Sequence, residues 1–385
     1  MPVKKRLILN FPGFEGTSAV HQIERLTAGG HKTGKLWGFD LSRTEILDNS
    51  ETSKTTSEFL AEAEKWKTQT RFVQFSWSDI ISKYEKAAYP KSLITSLPKY
   101  LSFFFDGSAL KYAKTSGRYF GFTVYPIILM ILFALMAFGL VSLLPALHWG
   151  IQIIIAFALF LIFTKFPGDL LYVNLSINDW AFARDMCKRS NLEIESRYEL
   201  FANHLIEEIE ASKASEILIV GHSFGSVWAV VSLAIALKKK PDLLKSREIT
   251  FLALGSSLLK IGLVREAQYF KQAVESVLKV SNLTWHEIQT KTDFISFYKS
   301  DPFEPMGIMA YSATVLMHRV KFKTALSKSR YRKMMKSMYL AHRQYILYCD
   351  KRVHFDFQLR CFGPFKASDL AADDTLTTNS NLLAK

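Results

Sequence analysis

Between Arg118 and Lys165 the chain runs for 46 residues, 119–164, without one Asp, Glu, Lys or Arg. A helix of a water-soluble protein keeps at least one polar face, so an apolar run of this length is hard to place in a soluble core. The alternative, a helical hairpin buried inside a large soluble domain, asks every face of both helices to be covered. A membrane-spanning helix needs about 20 apolar residues, which leaves room for two spans and a tight turn. The first span is expected over residues 120–144 and the second over 149–163, with Pro145, His148 and Trp149 at the turn. Proline fits a connection better than a helix interior, and tryptophan suits a membrane interface. Pro126 falls early in the first span, where a kink is tolerated. The second span is short and carries Gln152, so a re-entrant segment is its alternative.

The flanks orient this hairpin. Lys91, Lys99, Lys111, Lys114 and Arg118 precede it, Lys165 follows it, and the turn holds no Lys or Arg. The positive-inside rule then expects both flanks, and both termini, in the cytoplasm of a cell whose plasma or inner membrane carries the hairpin. Three cysteines, Cys187, Cys349 and Cys361, cannot close a disulfide framework and match no zinc spacing, which agrees with a reducing compartment. The opening residues, MPVKKRLILNFPGFEG, have too short an apolar stretch for a secretory signal.

Over the whole chain, 22% charged and 14% aromatic residues exclude a disordered or low-complexity chain. Residues 5–10 read as a strand, followed by the bend Pro12-Gly13-Phe14-Glu15-Gly16 and a helix from Thr17 or Ser18. Residues 48–58 (DNSETSKTTSE) read as a polar loop leading into a short helix, and 71–77 as a strand. After the hairpin, helical spacing is expected over 192–211, 226–237 and 267–278, and strands over 216–220, 248–254, 283–289 and 316–322. Strands alternating with helices at this spacing predict a mostly parallel sheet covered on both faces. Neither flank holds enough strands alone, so the two are expected to form one α/β domain interrupted by the hairpin.

One motif carries chemistry. An apolar strand, EILIV, enters Gly221-His222-Ser223-Phe224-Gly225, and an apolar helix, VWAVVSLAIAL, leaves it. A nucleophile elbow needs this context, with small residues flanking a serine on a strained strand-to-helix turn. The turn lifts the hydroxyl above the sheet and sets it at a helix N-terminus, where developing negative charge is favoured. A phosphate loop is the competing reading, but neither G-x-x-x-x-G-K-[ST] nor G-x-G-x-x-G is present.

With this elbow the sequence resembles the α/β-hydrolase superfamily, and more closely its bacterial membrane-anchored members with a helical hairpin inserted before the elbow. The resemblance covers both flanks, and only the elbow is highly specific. It implies an α/β-hydrolase-like fold divided into 1–118, the hairpin 119–164, the elbow-bearing part 165–368 and a flexible tail 369–385. It also implies a Ser-His-Asp triad. One oxyanion donor would be the N–H of Phe224, and the other the N–H of Gly13 or Phe14 in the bend after the first strand. The family's chain order puts the acid after the elbow at a later strand end. Asp293 is nearest, and Asp301, before Pro302, is the alternative and equally a turn-initiating residue. Of the nine histidines, His222 is expected to pack beside the oxyanion site. Downstream, His342 is preferred as the base over His318 and His354, because it follows the last strand and His342-x-x-Tyr345 resembles a pattern of membrane hydrolases. His354, within VHFDFQL, would face away from an apolar side made by Val353, Phe355, Phe357 and Leu359.

These expectations describe a membrane-anchored serine hydrolase acting on an ester or related acyl bond, with no metal or organic cofactor. The substrate would be an acyl compound, plausibly lipidic from the location alone. A catalytically degenerate binding or scaffold protein on the same fold is the alternative, and a transport subunit is disfavoured by spans without intramembrane charge. The net charge of +14 is concentrated: residues 318–352 hold eleven Lys or Arg and one acid, Asp350. No recognised nucleic-acid fold or aromatic platform accompanies them, so anionic lipid headgroups are the expected partner, at about 1 kcal/mol per basic residue near the surface. Charge reversal across 318–352, in a variant lacking the hairpin, is therefore expected to weaken binding to anionic vesicles; unchanged binding would contradict this.

Overall fold

Leu7, Leu9 and Phe11 pack on one side of the first strand and Ile8 on the other, and all four are fully buried. The same division recurs in the elbow strand, where Ile217 and Ile219 join one core and Leu218 and Val220 the other. Strands buried on both faces read as continuous apolar runs and not as alternating ones, which is why these segments look alike in the sequence. The computed structural model describes residues 2–49, 51–85, 88–245 and 247–370.

Among the described residues there are nine strands: β1 (Lys5–Phe11), β2 (Asp40–Arg43), β3 (Leu47–Asn49), β4 (Lys54–Ala63), β5 (Trp66–Phe75), β6 (Glu216–His222), β7 (Ile249–Leu254), β8 (Leu283–Thr290) and β9 (Thr314–Val320). They form one sheet in the order β2-β4-β5-β1-β6-β7-β8-β9, with β3 also on β4. From β5 to β9 every pairing is parallel; β2, β3 and β5 meet β4 antiparallel. The fold is thus mixed α/β with a mostly parallel sheet, and strands from both sides of the hairpin share it. The chain moves from β1 outward to β5, then crosses back so that β6 lies on the other side of β1. In open α/β sheets the crevice at such a reversal, outside the carboxyl ends of the strands, is where ligands bind.

Of residues 48–58, expected as a loop entering a helix, the described ones are instead the end of β3, a turn over 51–53 and the start of β4. Their Ser and Thr content fits a turn and an edge strand equally well; tertiary pairing to β5 decides, with Ala63 opposite Trp66 across a two-residue turn. The helices on the two faces are α1 (Ala19–Trp37), α2 (Ser78–Glu85), α3 (Lys91–Phe105) and α4 (Ser108–Thr115), then the apolar pair α5 (Gly117–Ser142) and α6 (Trp149–Leu170). After the pair come α7 (Val173–Lys188), α8 (Leu192–Ala211), α9 (Gly225–Lys239), α10 (Leu258–Gly262) and α11 (Gln268–Leu278). Four short helices follow β9: α12 (Phe322–Ala325), α13 (Lys328–Met334), α14 (Met338–Arg343) and α15 (Phe357–Phe362). The basic segment is therefore broken into pieces and is not one solvated helix.

Two helices, α5 and α6, are long and apolar enough to cross a membrane. At 1.5 Å per residue they extend about 39 and 33 Å, against a hydrocarbon core of about 30 Å. Phe138, Ile154 and Phe157 lie more than 60% exposed on them, where a soluble core helix would be covered. The second helix is longer than expected: it continues past residue 163 to Leu170, because Lys165 and Asp169 pair one turn apart at 2.7 Å and stay on the outside. Residues 369 and 370, expected at the start of the tail, are held in the fold. Leu370 is buried and its carbonyl accepts from Arg360, while residues 371–385 lie outside the described residues.

The end of the described chain is clamped by one buried cation. Arg6 on β1 bonds Glu216 on β6 at 2.5 Å and donates to the carbonyls of Cys361, Gly363 and Phe365, while Glu216 accepts the Ala367 N–H. Removing one partner of such a pair strands a charge in the interior and costs about 3–5 kcal/mol. Arg6→Met is expected to lower the unfolding midpoint in detergent micelles accordingly, and Arg6→Met with Glu216→Gln to recover part of the loss.

Candidate active site

The carboxyl ends of β1 and β6 meet with Phe11 opposite Gly221. There is no room for side chains on the glycines around this contact. A Cβ on Gly225 would stand 1.9 Å from the Phe11 carbonyl oxygen, and one on Gly221 would stand 2.5 Å from Ser226 Cα. Between them Ser223 adopts φ +54°, a left-handed conformation that costs a non-glycine residue about 1–3 kcal/mol. Its backbone is held from three sides: its N–H bonds the Leu254 carbonyl on β7, and its carbonyl accepts from Ser226 Oγ and the Ser257 N–H. The strained turn places Ser223 at the mouth of α9, and the sequence-predicted elbow is present in geometry.

His342, on α14, comes to the same place from the far end of the chain. Its Nδ1 lies 2.8 Å from Oδ2 of Asp293, which is fully buried in the loop after β8. The other carboxylate oxygen accepts the Ile295 N–H at 2.9 Å. Burial alone would raise the Asp293 pKa, but the adjacent imidazole, by charge and hydrogen bond, outweighs it and holds the carboxyl below its ordinary value. With Nδ1 donating to the acid, Nε2 is the acceptor nitrogen; it is buried with no hydrogen-bond partner among the described residues, and His342 lines the same pocket as Ser223. Ser223 Oγ rests 3.4 Å from Ser257 Oγ, so the serine–histidine bond is open in this state.

Gly13 and Phe14, the residues expected to supply a second N–H donor, lie in the same pocket wall. Gly13 packs onto the elbow so closely that a Cβ there would meet Ser223 Cβ at 3.1 Å and His222 Nδ1 at 2.8 Å. Phe14 follows in the pocket wall with its ring against Phe224. The Phe224 N–H begins α9 with no acceptor among the described residues. The pocket these groups share has a volume of about 250 Å³.

Three candidates fall elsewhere. Asp301 accepts the N–H groups of Phe303 and Glu304 and so caps a short turn, the role that its place before Pro302 suggested. His354 stacks edge-on with Phe355 in a turn before α15, not on the polar side of a strand, since Asp356 caps a helix at Gln358 and Leu359. His318, on β9, bonds His286 within the sheet.

Other residues were not foreseen, or foreseen with a different role. His222, expected to pack beside Ser223, also donates from Nε2 to the His342 carbonyl at 3.0 Å and so holds the backbone of that residue. Burial pushes its pKa down to about 3, which keeps that ring neutral. Gly255, at φ +50°, leaves space that a Cβ would take from Tyr345 and Asp293, while Tyr345 Oη accepts the Thr290 N–H. Gly255 has a signal in the sequence, a glycine directly after an apolar strand. Asp179, in the pocket wall, pairs with the buried Lys260 behind Phe224, and nothing in the spacing of these two residues announces it.

Under Ser257 lies a second buried acid. Glu287 accepts from Ser256 Oγ at 2.5 Å and Trp285 Nε1 at 3.3 Å, and burial pushes its carboxyl up to about 8 from an ordinary 4.5. Below the lower value both folded and unfolded chains hold the proton. Between the two values only the folded chain does, so its contribution to stability falls as pH rises through that window. Glu287→Gln is expected to flatten the fall in melting temperature between about pH 5 and 8; an unchanged slope would place the ionisation elsewhere.

Comparison with protein-family models, with curated proteins and with solved structures returns no match for this chain.

Proposed function

We propose that the chain is a membrane-anchored serine hydrolase of α/β-hydrolase type, cleaving an ester or related acyl bond. The observation that carries this reading is that Ser223, on its strained turn, lines one pocket with His342, whose Nδ1 is bonded to the buried Asp293. The sheet order, with the elbow at the reversal between β1 and β6, supports the fold assignment. The two apolar helices and the lysines flanking them support a cytoplasm-facing domain tethered to the bilayer.

The chemistry follows from the geometry. Rotation of Ser223 χ1 swings Oγ away from Ser257 toward His342 Nε2. As Oγ bonds the substrate carbonyl carbon, Nε2 takes the hydroxyl proton and Asp293 stabilises the imidazolium through Nδ1–H. The carbonyl π electrons move onto oxygen, and the N–H groups of Phe224 and the Gly13–Phe14 bend receive that charge. Collapse of the tetrahedral centre expels the leaving alkoxide, which takes the proton from Nε2 and departs as an alcohol. Water then repeats the sequence on the acyl-serine, releasing the acid and restoring the serine. His222 acts throughout as a neutral strut on the backbone of the base.

Wild-type protein in membranes is expected to react at Ser223 with a serine-directed fluorophosphonate. Ser223→Ala is expected to abolish labelling, and His342→Ala to slow it by about 10³-fold or more. A wild-type chain that stays unlabelled, or labelling that survives Ser223→Ala, would favour a binding protein on a degenerate hydrolase fold.

A further inference from the structure

The apolar helices join the domain on the side where the site lies, at the carboxyl ends of the strands. Tyr119, in the first turn of α5, stacks on Phe297 with ring centroids 3.7 Å apart, and Phe297 belongs to the loop that holds Asp293. On the other side, Tyr172 and Leu175 in the pocket wall directly follow α6. Tyr125 of α5 bonds the Tyr172 carbonyl at 2.9 Å, and Ser176 bonds Tyr339 Oη at 2.5 Å, tying α14 on the opposite wall to the base of the hairpin. The pocket is therefore built into the junction between domain and hairpin, not on the side away from it.

The surface leading from hairpin to pocket is apolar. Phe166, Leu170 and Leu171 are 69%, 78% and 43% exposed, and Leu340 is partly exposed in the pocket wall. Helix α3 extends this surface. Its inward residues Leu93, Ser96, Tyr100 and Phe103 are buried and Leu97 and Leu101 pack half-buried against the core, yet Ile94 and Phe105, at either end of one further helix face, are not covered. Ile94 is 68% and Phe105 87% exposed. A helix of a soluble domain presents polar residues there. Just before α3, Tyr89 Oη bonds the Leu161 carbonyl of α6 at 2.9 Å, so the start of α3 lies beside the hairpin. Exposed Arg332, Lys333 and Lys336, next to pocket-lining Ser337, supply positive charge at the level where headgroups would lie.

We propose that the pocket takes an acyl ester of a membrane lipid, which enters sideways from the bilayer between the α6–α7 junction and α14, with α3 lying in the interface beside it. This rests on the serine-hydrolase reading. A pocket of about 250 Å³ encloses the ester and the start of one chain, not a whole lipid. The remaining chain stays in hydrocarbon, which avoids the cost of drawing each methylene into water. The products are a fatty acid or acyl group transferred to water and a deacylated lipid alcohol, with the proton balance given above.

The test compares ethyl and hexadecyl fluorophosphonates on the full chain in lipid nanodiscs. Leu171→Asp and Leu340→Asp are expected to lower the ratio of hexadecyl to ethyl labelling rates at Ser223 by about tenfold, since only the long probe uses the lipid path. A ratio unchanged in both variants overturns lateral entry while leaving the hydrolase reading intact. Failure of both probes on wild type removes the hydrolase reading and this inference with it. A second measurement does not depend on Ser223 or on those variants. Spin labels at Ile94→Cys and Phe105→Cys are expected to meet dissolved oxygen more than a water-soluble nickel reagent, compared with a label at exposed Lys65→Cys beside the three buried native cysteines. Accessibility equal to Lys65, or shielding from both reagents by a protein neighbour, overturns the seating of α3 in lipid.

Discussion

The close approach of β1 and β6 at their carboxyl ends governs the rest of the site. It leaves no volume for a Cβ at Gly13, Gly221 or Gly225, and it forces Ser223 into a left-handed turn. The strain is of the order of 1–3 kcal/mol. It persists because the turn is over-determined by bonds to Leu254, Ser226 and Ser257 on neighbouring elements. A looser junction would let the serine relax into ordinary helix geometry and move its hydroxyl away from the pocket. Fold and site are the same constraint at this point: a reversal of strand order brings two strand ends together, and the Ser223 side chain lines the pocket beside them.

The other half of the site is assembled over long chain distances. Asp293 follows β8, His342 sits on a helix of six residues, and the brace from His222 returns to the elbow. Each link is buried and hydrogen-bonded, so the imidazole has one tautomer and one orientation available. The hairpin belongs to the same construction. The N-terminal turns of α5 pack on Trp180 and Phe297, so the segment that resembles an anchor also closes the core beneath the acid loop.

What was legible in the sequence tracks how local the physics is. Gly221 to Gly225 could be read because elbow chemistry is confined to five residues between an apolar strand and an apolar helix. The long helices were legible for the same reason, up to the charges: Lys165 and Asp169 look like an end but pair along the helix that continues beneath them. Asp293 and His342 followed from chain order, and only packing separates them from Asp301 and His354. The strands over 47–63 were misread, since Ser and Thr serve turns and edge strands alike and β4 is specified by its partner. Gly255, Asp179 and Lys260 acquire meaning only when β7, α7 and α10 converge, and a single sequence holds no record of that convergence.

The central claim is that Ser223 forms an acyl-enzyme through His342 and Asp293. Its most direct measurement is a rapid-mixing experiment with a chromogenic ester on the purified chain in lipid. The account predicts a burst of leaving group approaching one equivalent per chain, with the acyl mass found on the peptide that contains Ser223. Steady turnover with no acyl-serine, and an identical rate after Ser223→Ala, would contradict it.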